Sequence, residues 1–226
     1  MKRFLSLFLA LFLLSGIAFA GSQQTSSTAA STIITNARSL LNEASASFWT
    51  DAELLVWLND GMLDIAARSH CLEETESVNL VADTIEYSIS ANYVTVKAVV
   101  YVNASGTIKG LTPGNVSSVG NVDDVDEPVY WYDFAGKIGI YPPLSSVTTE
   151  TVTLYLISRP TAIISSANVT TPAVYDHALT LYIVGKAHLK DRQTGRYHQV
   201  LGLYMAELER IRKDIIERPQ AGEIVE

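Results

Sequence analysis

The side chains that could do chemistry are four histidines, one cysteine and one acidic run. Their spacing argues against each as a reactive site. His177 and His188 stand eleven positions apart on one expected helix. That is about three turns, so they share a face but cannot share a metal. His70 falls at an expected helix end and His198 at the start of another helix, and no His-x-x-x-His or His-Glu-x-x-His spacing occurs. Cys71 is the only cysteine, so neither an internal disulfide nor a cysteine-based zinc site can form. Asp123, Asp124, Asp126 and Glu127 precede Pro128. A calcium loop needs oxygen ligands at set spacing, a glycine turn and a terminal bidentate Glu. Only part of that pattern is present, so the run reads as a solvated turn or a charged rim facing a basic partner. Asn103-Ala104-Ser105, Asn115-Val116-Ser117 and Asn168-Val169-Thr170 fit the glycosylation triplet, which is frequent by chance in Ser/Thr-rich strands. No nucleophile elbow, glycine-rich phosphate loop or paired-carboxylate motif occurs. The chain therefore reads as a non-enzyme with no catalytic residue, no metal site and no cofactor.

The remaining candidates are contact surfaces. Lys186, Lys190, Arg192 and Arg196 gather near the end of the third expected helix, where cations complement the helix dipole. A sharper reading makes them an intersubunit salt-bridge or channel-lining patch. Arg210, Arg212 and Lys213 alternate with Glu207, Glu209 and Asp214, as on an ion-paired helix surface. Tyr130, Trp131, Tyr132 and Phe134 are dense for a hairpin, and period two buries half of them and exposes half. The interface candidates are thus Trp131, Tyr132, Phe134, Asp123, Asp124, Asp126, Lys186, Lys190, Arg192, Arg210, Arg212 and Lys213.

These residues need elements to hold them. At 226 residues the chain suits one domain, or one with a substantial insertion. Its formal charge is −8, and −10 once Lys2 and Arg3 are set aside with residues 1–20. Dedicated DNA binders need clustered Lys and Arg, so this balance argues against one. It suits a wall that DNA slides past. Residues 1–20 have a positive start, an apolar run from Phe4 to Ile17 and small residues at Ala18-Phe19-Ala20, the order of a secretory signal cleaved before Gly21. Residues 21–31 are small and polar and read as a linker.

A first helix is expected from Thr32 to about Glu43, capped by Ser31 or Thr32, with Ile33, Ile34, Ala37, Leu40 and Leu41 on its apolar face. A second runs from Asp51 to about Ser69. Thr50 and Glu53 form a capping box, Leu54, Leu55, Trp57, Leu58 and Met62 recur at helical spacing, and Asn59 and Asp60 lie on the wetter side. From Ser77 to Pro160 the pattern turns to period two. Strands are expected at Val78–Leu80, Ile85–Ile89, Tyr93–Val102, Thr107–Leu111, Pro128–Asp133, Lys137–Tyr141 and Thr151–Ser158. Phe134-Ala135-Gly136-Lys137 reads as a hairpin turn with Gly136 taking any positive φ. Thr171 and Pro172 start a third helix that runs to about Arg192, with Val174, Ala178, Leu181, Tyr182, Gly185 and Leu189 near one face. A turn at Thr194-Gly195 leads to the last helix, Arg196 to about Arg218, striped by Val200, Leu203, Tyr204, Leu208, Ile211 and Ile215. The fold class is α+β: an antiparallel bundle of about four helices, from residues 32–76 and 161–218, with a small antiparallel β-sheet or barrel inserted at 77–160. Residues 219–226 are a polar tail.

Five separated motifs, in order, carry a resemblance. They are Trp49-Thr50-Asp51-Ala52-Glu53-Leu54-Leu55-Val56-Trp57-Leu58-Asn59-Asp60; the hairpin Trp131-Tyr132-Asp133-Phe134-Ala135-Gly136-Lys137-Ile138-Gly139-Ile140-Tyr141-Pro142-Pro143; Leu156-Ile157-Ser158-Arg159-Pro160; Tyr175-Asp176-His177-Ala178-Leu179 with Gly185-Lys186-Ala187-His188-Leu189-Lys190-Asp191; and a long last helix with Tyr204, Glu207 and Arg210. From about Ile33 to Arg218 the chain resembles the head-to-tail adaptor (connector) proteins of tailed bacteriophages. The resemblance implies a ring subunit, dodecameric, that binds below the portal, extends the DNA channel and presents the surface for the tail or nozzle protein. Double-stranded DNA would pass without sequence-specific binding. It also implies assembly in the host cytoplasm and a place at the portal–tail junction of the virion. The last helix and tail would reach the portal, and the 121–143 segment the tail. The signal-like start and the long β-insertion depart from the pattern. If the start is taken at face value, the alternative is an exported periplasmic or surface binding protein, cleaved near Ala20.

Overall fold

The computed structural model describes residues 26–90, 92–118, 127–147 and 149–216. The apolar start at 1–20, the tail at 219–226 and Asp123, Asp124 and Asp126 lie outside them, as does the side chain of Ile215.

Helix α2, Asp51–Ser69, has the expected bounds because its start is chemically local. Thr50 Oγ1 accepts the Glu53 N–H at 3.3 Å, and Glu53 Oε2 accepts the Thr50 N–H at 3.0 Å. Two of the free donors at the helix start are thereby satisfied. Leu54, Leu58, Met62 and Ile65 are at most 1% exposed and point inward.

Helix α1, Ala30–Leu41, begins two residues ahead of expectation, with no side-chain cap. Distant backbone does the capping: the Ala30 N–H donates to Ala167 O at 2.9 Å and the Ser31 N–H to Ser165 O at 3.0 Å. Neither Ser31 nor Thr32 is therefore needed as a cap. Leu40, expected on the apolar face, is 57% exposed. The stretch read as linker is docked from Ser26 onward. The Ser26 N–H donates to Thr171 O, and the Thr28 hydroxyl donates to Asp176 at 2.6 Å.

A single 3₁₀ turn, Ala173–Tyr175, precedes helix α3, Asp176–Lys190. Thr171 does not cap this helix. It is fully buried, and its hydroxyl has no partner among the described residues. Pro172 instead caps the 3₁₀ turn, accepting the Tyr175 N–H at 2.9 Å. Val174 and Leu189, expected on the apolar face, are 39% and 46% exposed. Helix α4 is Thr194–Ile216, so Thr194 and Gly195 are helical and not a turn. The chain reverses just before, at Arg192, whose φ is +58°. There the Gln193 N–H closes on His188 O at 2.9 Å, which ends α3. Leu203, expected on the apolar stripe, is 59% exposed. Helices α1, α2 and α4 all pack on α3. Their shared apolar core holds Ile33, Leu54, Leu58, Leu179, Ile183 and Tyr204. Among the described residues no helix is long and apolar enough to cross a membrane.

Among the described residues the β-region forms two four-stranded sheets, where one small sheet or barrel was expected. The strands are β1 Glu73–Asn79, β2 Glu86–Ser88, β3 Tyr93–Val102, β4 Ile108–Gly110, β5 Thr112–Pro113, β6 Tyr130–Phe134, β7 Lys137–Tyr141 and β8 Thr151–Ser158. One sheet runs β1-β8-β3-β4 and the other β2-β7-β6-β5. Every neighbouring pair is antiparallel except β5 with β6, which is parallel. Both sheets close on one core that includes Tyr87, Val99, Trp131, Ile138, Ile140, Leu154 and Leu156. Strand β1 opens ahead of the expected Ser77 because Glu73, Glu74 and Glu76 hide it from a period-two search. Charged residues suit an edge strand, where they discourage pairing with another chain. In the β6–β7 hairpin both Ala135 (φ +53°) and Gly136 (φ +75°) are left-handed, as a type I′ turn demands. Only Gly136 was legible; alanine in that conformation costs about 1–2 kcal/mol.

Candidate functional site

The signature segment at the start of α2 is held by a cluster of cations and aromatic rings. Lys190, at the end of α3, places Nζ 2.7 and 2.9 Å from the two Glu53 oxygens and 3.0 Å from Phe48 O. It also lies 4.9 Å over the Phe48 ring. The Lys190 hydrogen bond, then the Thr50 N–H, hold the Glu53 carboxyl at about 2, well below its ordinary value. The Trp49 indole N–H donates to Ala187 O at 3.2 Å. Behind it the buried Arg38 guanidinium meets Asp51 at 2.6 Å and Trp49 O at 2.8 Å. Glu43 Oε1 accepts the N–H groups of Ser47, Phe48 and Trp49, which organises the loop between α1 and α2. Together these contacts lock α1, α2 and α3 at one end.

A second polar cluster joins α2 to α4. Tyr204 is 1% exposed, and its hydroxyl donates to Asp64 Oδ2 at 2.6 Å. Arg68 donates to the same oxygen at 2.8 Å. Burial first, and then the bond to Asp64, push the Tyr204 phenol far up, so it stays a donor. The Tyr182 ring meets Tyr204 edge-on at 5.4 Å, and Lys186 Nζ sits 5.2 Å above Tyr182. A cleft of about 220 Å³ opens there, lined by Asp64, Arg68, Tyr182, Lys186, Tyr197 and Tyr204 among others.

Among the described residues the interface candidates from the sequence have several different roles. Lys190 serves the lock, and Lys186 is half-buried over an aromatic ring. Arg192 is exposed at the α3–α4 turn. Arg210 pairs with Glu207 at 2.7 Å and Asp214 at 2.8 Å, Arg212 with Glu209 at 3.5 Å, and Lys213 is exposed. On the hairpin, Trp131 is buried in the sheet core and its indole N–H meets no acceptor among the described residues. Tyr132 is also buried, against the period-two expectation for neighbours. Its ring lies across Gly139, its register partner, where a Cβ would come within 2.1 Å. Of the aromatic set, Phe134 at 60% and Tyr130 at 42% remain exposed.

Sequence reasoning missed Arg38, Glu43, Asp64 and the role of Asn59. Arg38 stands four residues after Ile34, on the apolar face of α1, and a charge there signals a buried ion pair. Asn59 is not merely on a wetter side. Its amide donates to Ile163 O at 3.2 Å and its carbonyl accepts the Ile163 N–H at 2.8 Å, clamping the chain that leads into α3. Among the described residues no group of three or more His, Cys, Asp or Glu is placed to hold a metal ion. Burial pushes the Cys71 thiol up, away from the reactive thiolate. These side chains join elements to one another.

A family model described as SU10 adaptor protein matches residues 28–223. No curated protein matches the chain. A solved structure titled "Neck of empty GTA particle computed with C6 symmetry" matches at 16% identity over 74% of this chain and 83% of that one, with a TM-score of 0.28. The family match leaves the alternative of an exported binding protein not borne out. By its match across the described helices and strands, the chain belongs to the SU10 adaptor protein family, the tailed-bacteriophage adaptors that its helix and hairpin motifs resemble.

Proposed function

We propose that this protein is a ring subunit at the head-to-tail junction of a tailed phage. It binds below the portal, extends the channel through which DNA passes and offers the surface on which the tail docks. One observation carries the reading: the family match runs from residue 28 to 223, through every described element of the chain. In this reading the helices of 32–76 and 161–218 are the antiparallel bundle and ring-forming core. The strands of 77–160 face the tail, through the exposed Phe134 and the acidic run at Asp123, Asp124 and Asp126. Arg212 and Lys213 near the end of α4, with the tail at 219–226, face the portal. The acidic balance lets DNA slide past without adhering. The subunits assemble in the host cytoplasm into a ring of twelve. The test is electron microscopy and mass measurement of the full chain mixed with the portal encoded beside it. Coaxial rings stacked on the portal are expected. A chain that stays monomeric and ignores the portal overturns the reading.

A further inference from the structure

Helix α2 is apolar on both sides. Its inner face packs on α3: a Cβ built on Gly61 would meet the Tyr182 and Leu179 side chains at 3.0 and 3.3 Å. The opposite face at helical spacing is Ala52, Val56, Asp60, Leu63 and Ala67, and all five are exposed. Val56 is 57% exposed and Leu63 43%. A surface helix places polar residues outward, and one that is apolar all round belongs in an interior. Among the described residues this face has no neighbour within one subunit, and it carries a single charge.

That charge decides what can cover it. Two copies meeting α2 to α2 would set Asp60 against Asp60, and like charges juxtaposed at an interface are costly. The complementary surface is on α4. Arg196, Leu203 and Arg210 recur every seven residues on a stripe away from the buried Tyr204 and Ile211. Leu203 is 59% exposed and lies between the two arginines. Arg210 already holds Glu207 and Asp214, which leaves Arg196 to meet Asp60.

We propose that the outer face of α2 is a subunit interface, covered by the Arg196–Leu203–Arg210 stripe of α4 from a second copy of this chain. Leu203 seats against Val56 and Leu63 while Arg196 pairs with Asp60. The two surfaces differ, so the contact is heterologous and repeats around a ring. The inference rests on the ring-subunit reading above and supplies the contact that would build the ring.

The test is a charge-swap cycle on the full chain, with mass read by analytical ultracentrifugation, alone and with portal rings. Asp60→Arg and Arg196→Glu each raise the concentration needed for assembly at least about tenfold. Thermal unfolding of either monomer is unchanged, because both side chains are exposed and a glutamate in the first turn of α4 suits the helix dipole. The double variant Asp60→Arg with Arg196→Glu regains assembly. Single variants that assemble like the wild type, or a double variant as defective as the singles, overturn this interface while leaving the ring reading intact. A wild-type chain that neither assembles nor binds the portal overturns both.

Discussion

Helices α2 and α4 both lie along α3, yet they meet solvent in opposite ways. The outer face of α2 is Ala52, Val56, Leu63 and Ala67 around one Asp60. That of α4 carries Gln199, Glu209, Arg210, Arg212 and Lys213, with Arg210 and Arg212 ion-paired within the helix. Helix α4 also exposes Gly195 and Gly202, where an added Cβ would meet nothing. The start of α2 is pinned by a capping box and by Lys190, whereas α4 is held along its length by Tyr204 and Ile211. Inner faces are thus built alike, by burial, and outer faces record what each helix is exposed to. The ion-paired flank of α4 suits water, whereas the apolar face of α2, like the Leu203 stripe beside that flank, suits another protein.

The largest expected effect separates the two faces of α2. Ile65→Ala removes a side chain with no exposure and should cost about 2–5 kcal/mol in thermal unfolding. Leu63→Ala, two residues away on the outer face, should change monomer stability by no more than about 0.5 kcal/mol. Equal losses in the isolated monomer would mean the outer face is not free. On the α4 side, Tyr204→Phe deletes the donor to Asp64, and a loss of about 1–2 kcal/mol is expected by denaturant titration. No loss would show that Arg68 alone satisfies that carboxylate.

The pinned start of α2 is tested by acid. Glu53 sits at about 2 in the fold against 4.5 for the free group, so its contribution is complete above 4.5 and fades as pH falls toward 2. A melting-temperature profile over that window should fall less steeply for Glu53→Gln than for the wild type. Parallel profiles would remove Lys190 from the account of the lock. The smallest effect has the opposite sign. Gly202→Ala should stabilise α4 by up to about 1 kcal/mol, since glycine is a poor helix former and space is open around it. A destabilised variant would show that this face of α4 is closely approached.

Much of the fold was legible along the chain. The bounds of α2, β3, β7 and β8 match the expected ranges residue for residue. The motif beginning at Trp49 lies within the 28–223 span that matches the adaptor family. The site was less legible. Lys190 read as a patch cation, and only the fold brings it to Glu53 across 137 positions of sequence. Trp131 and Tyr132 read as interface aromatics, but Gly139 opposite leaves room for the Tyr132 ring to lie down and the sheet core takes Trp131.

The sequence by itself determined whatever closes within a few residues. The Thr50–Glu53 box starts α2, the apolar rhythm of β8 lets it lie between β1 and β3, and Gly136 helps turn the β6–β7 hairpin. The tertiary structure alone decided whatever needs a partner from far along the chain. Helix α1 starts at Ala30 because the carbonyls of Ala167 and Ser165 take up its first N–H groups, so neither Ser31 nor Thr32 is needed as a cap. The β-region becomes two sheets on one core because β2 pairs with β7 while β1 pairs with β8. Hydrogen-bond donors and apolar faces announce in sequence that they must be satisfied. Which distant group satisfies them is set only when the chain has folded.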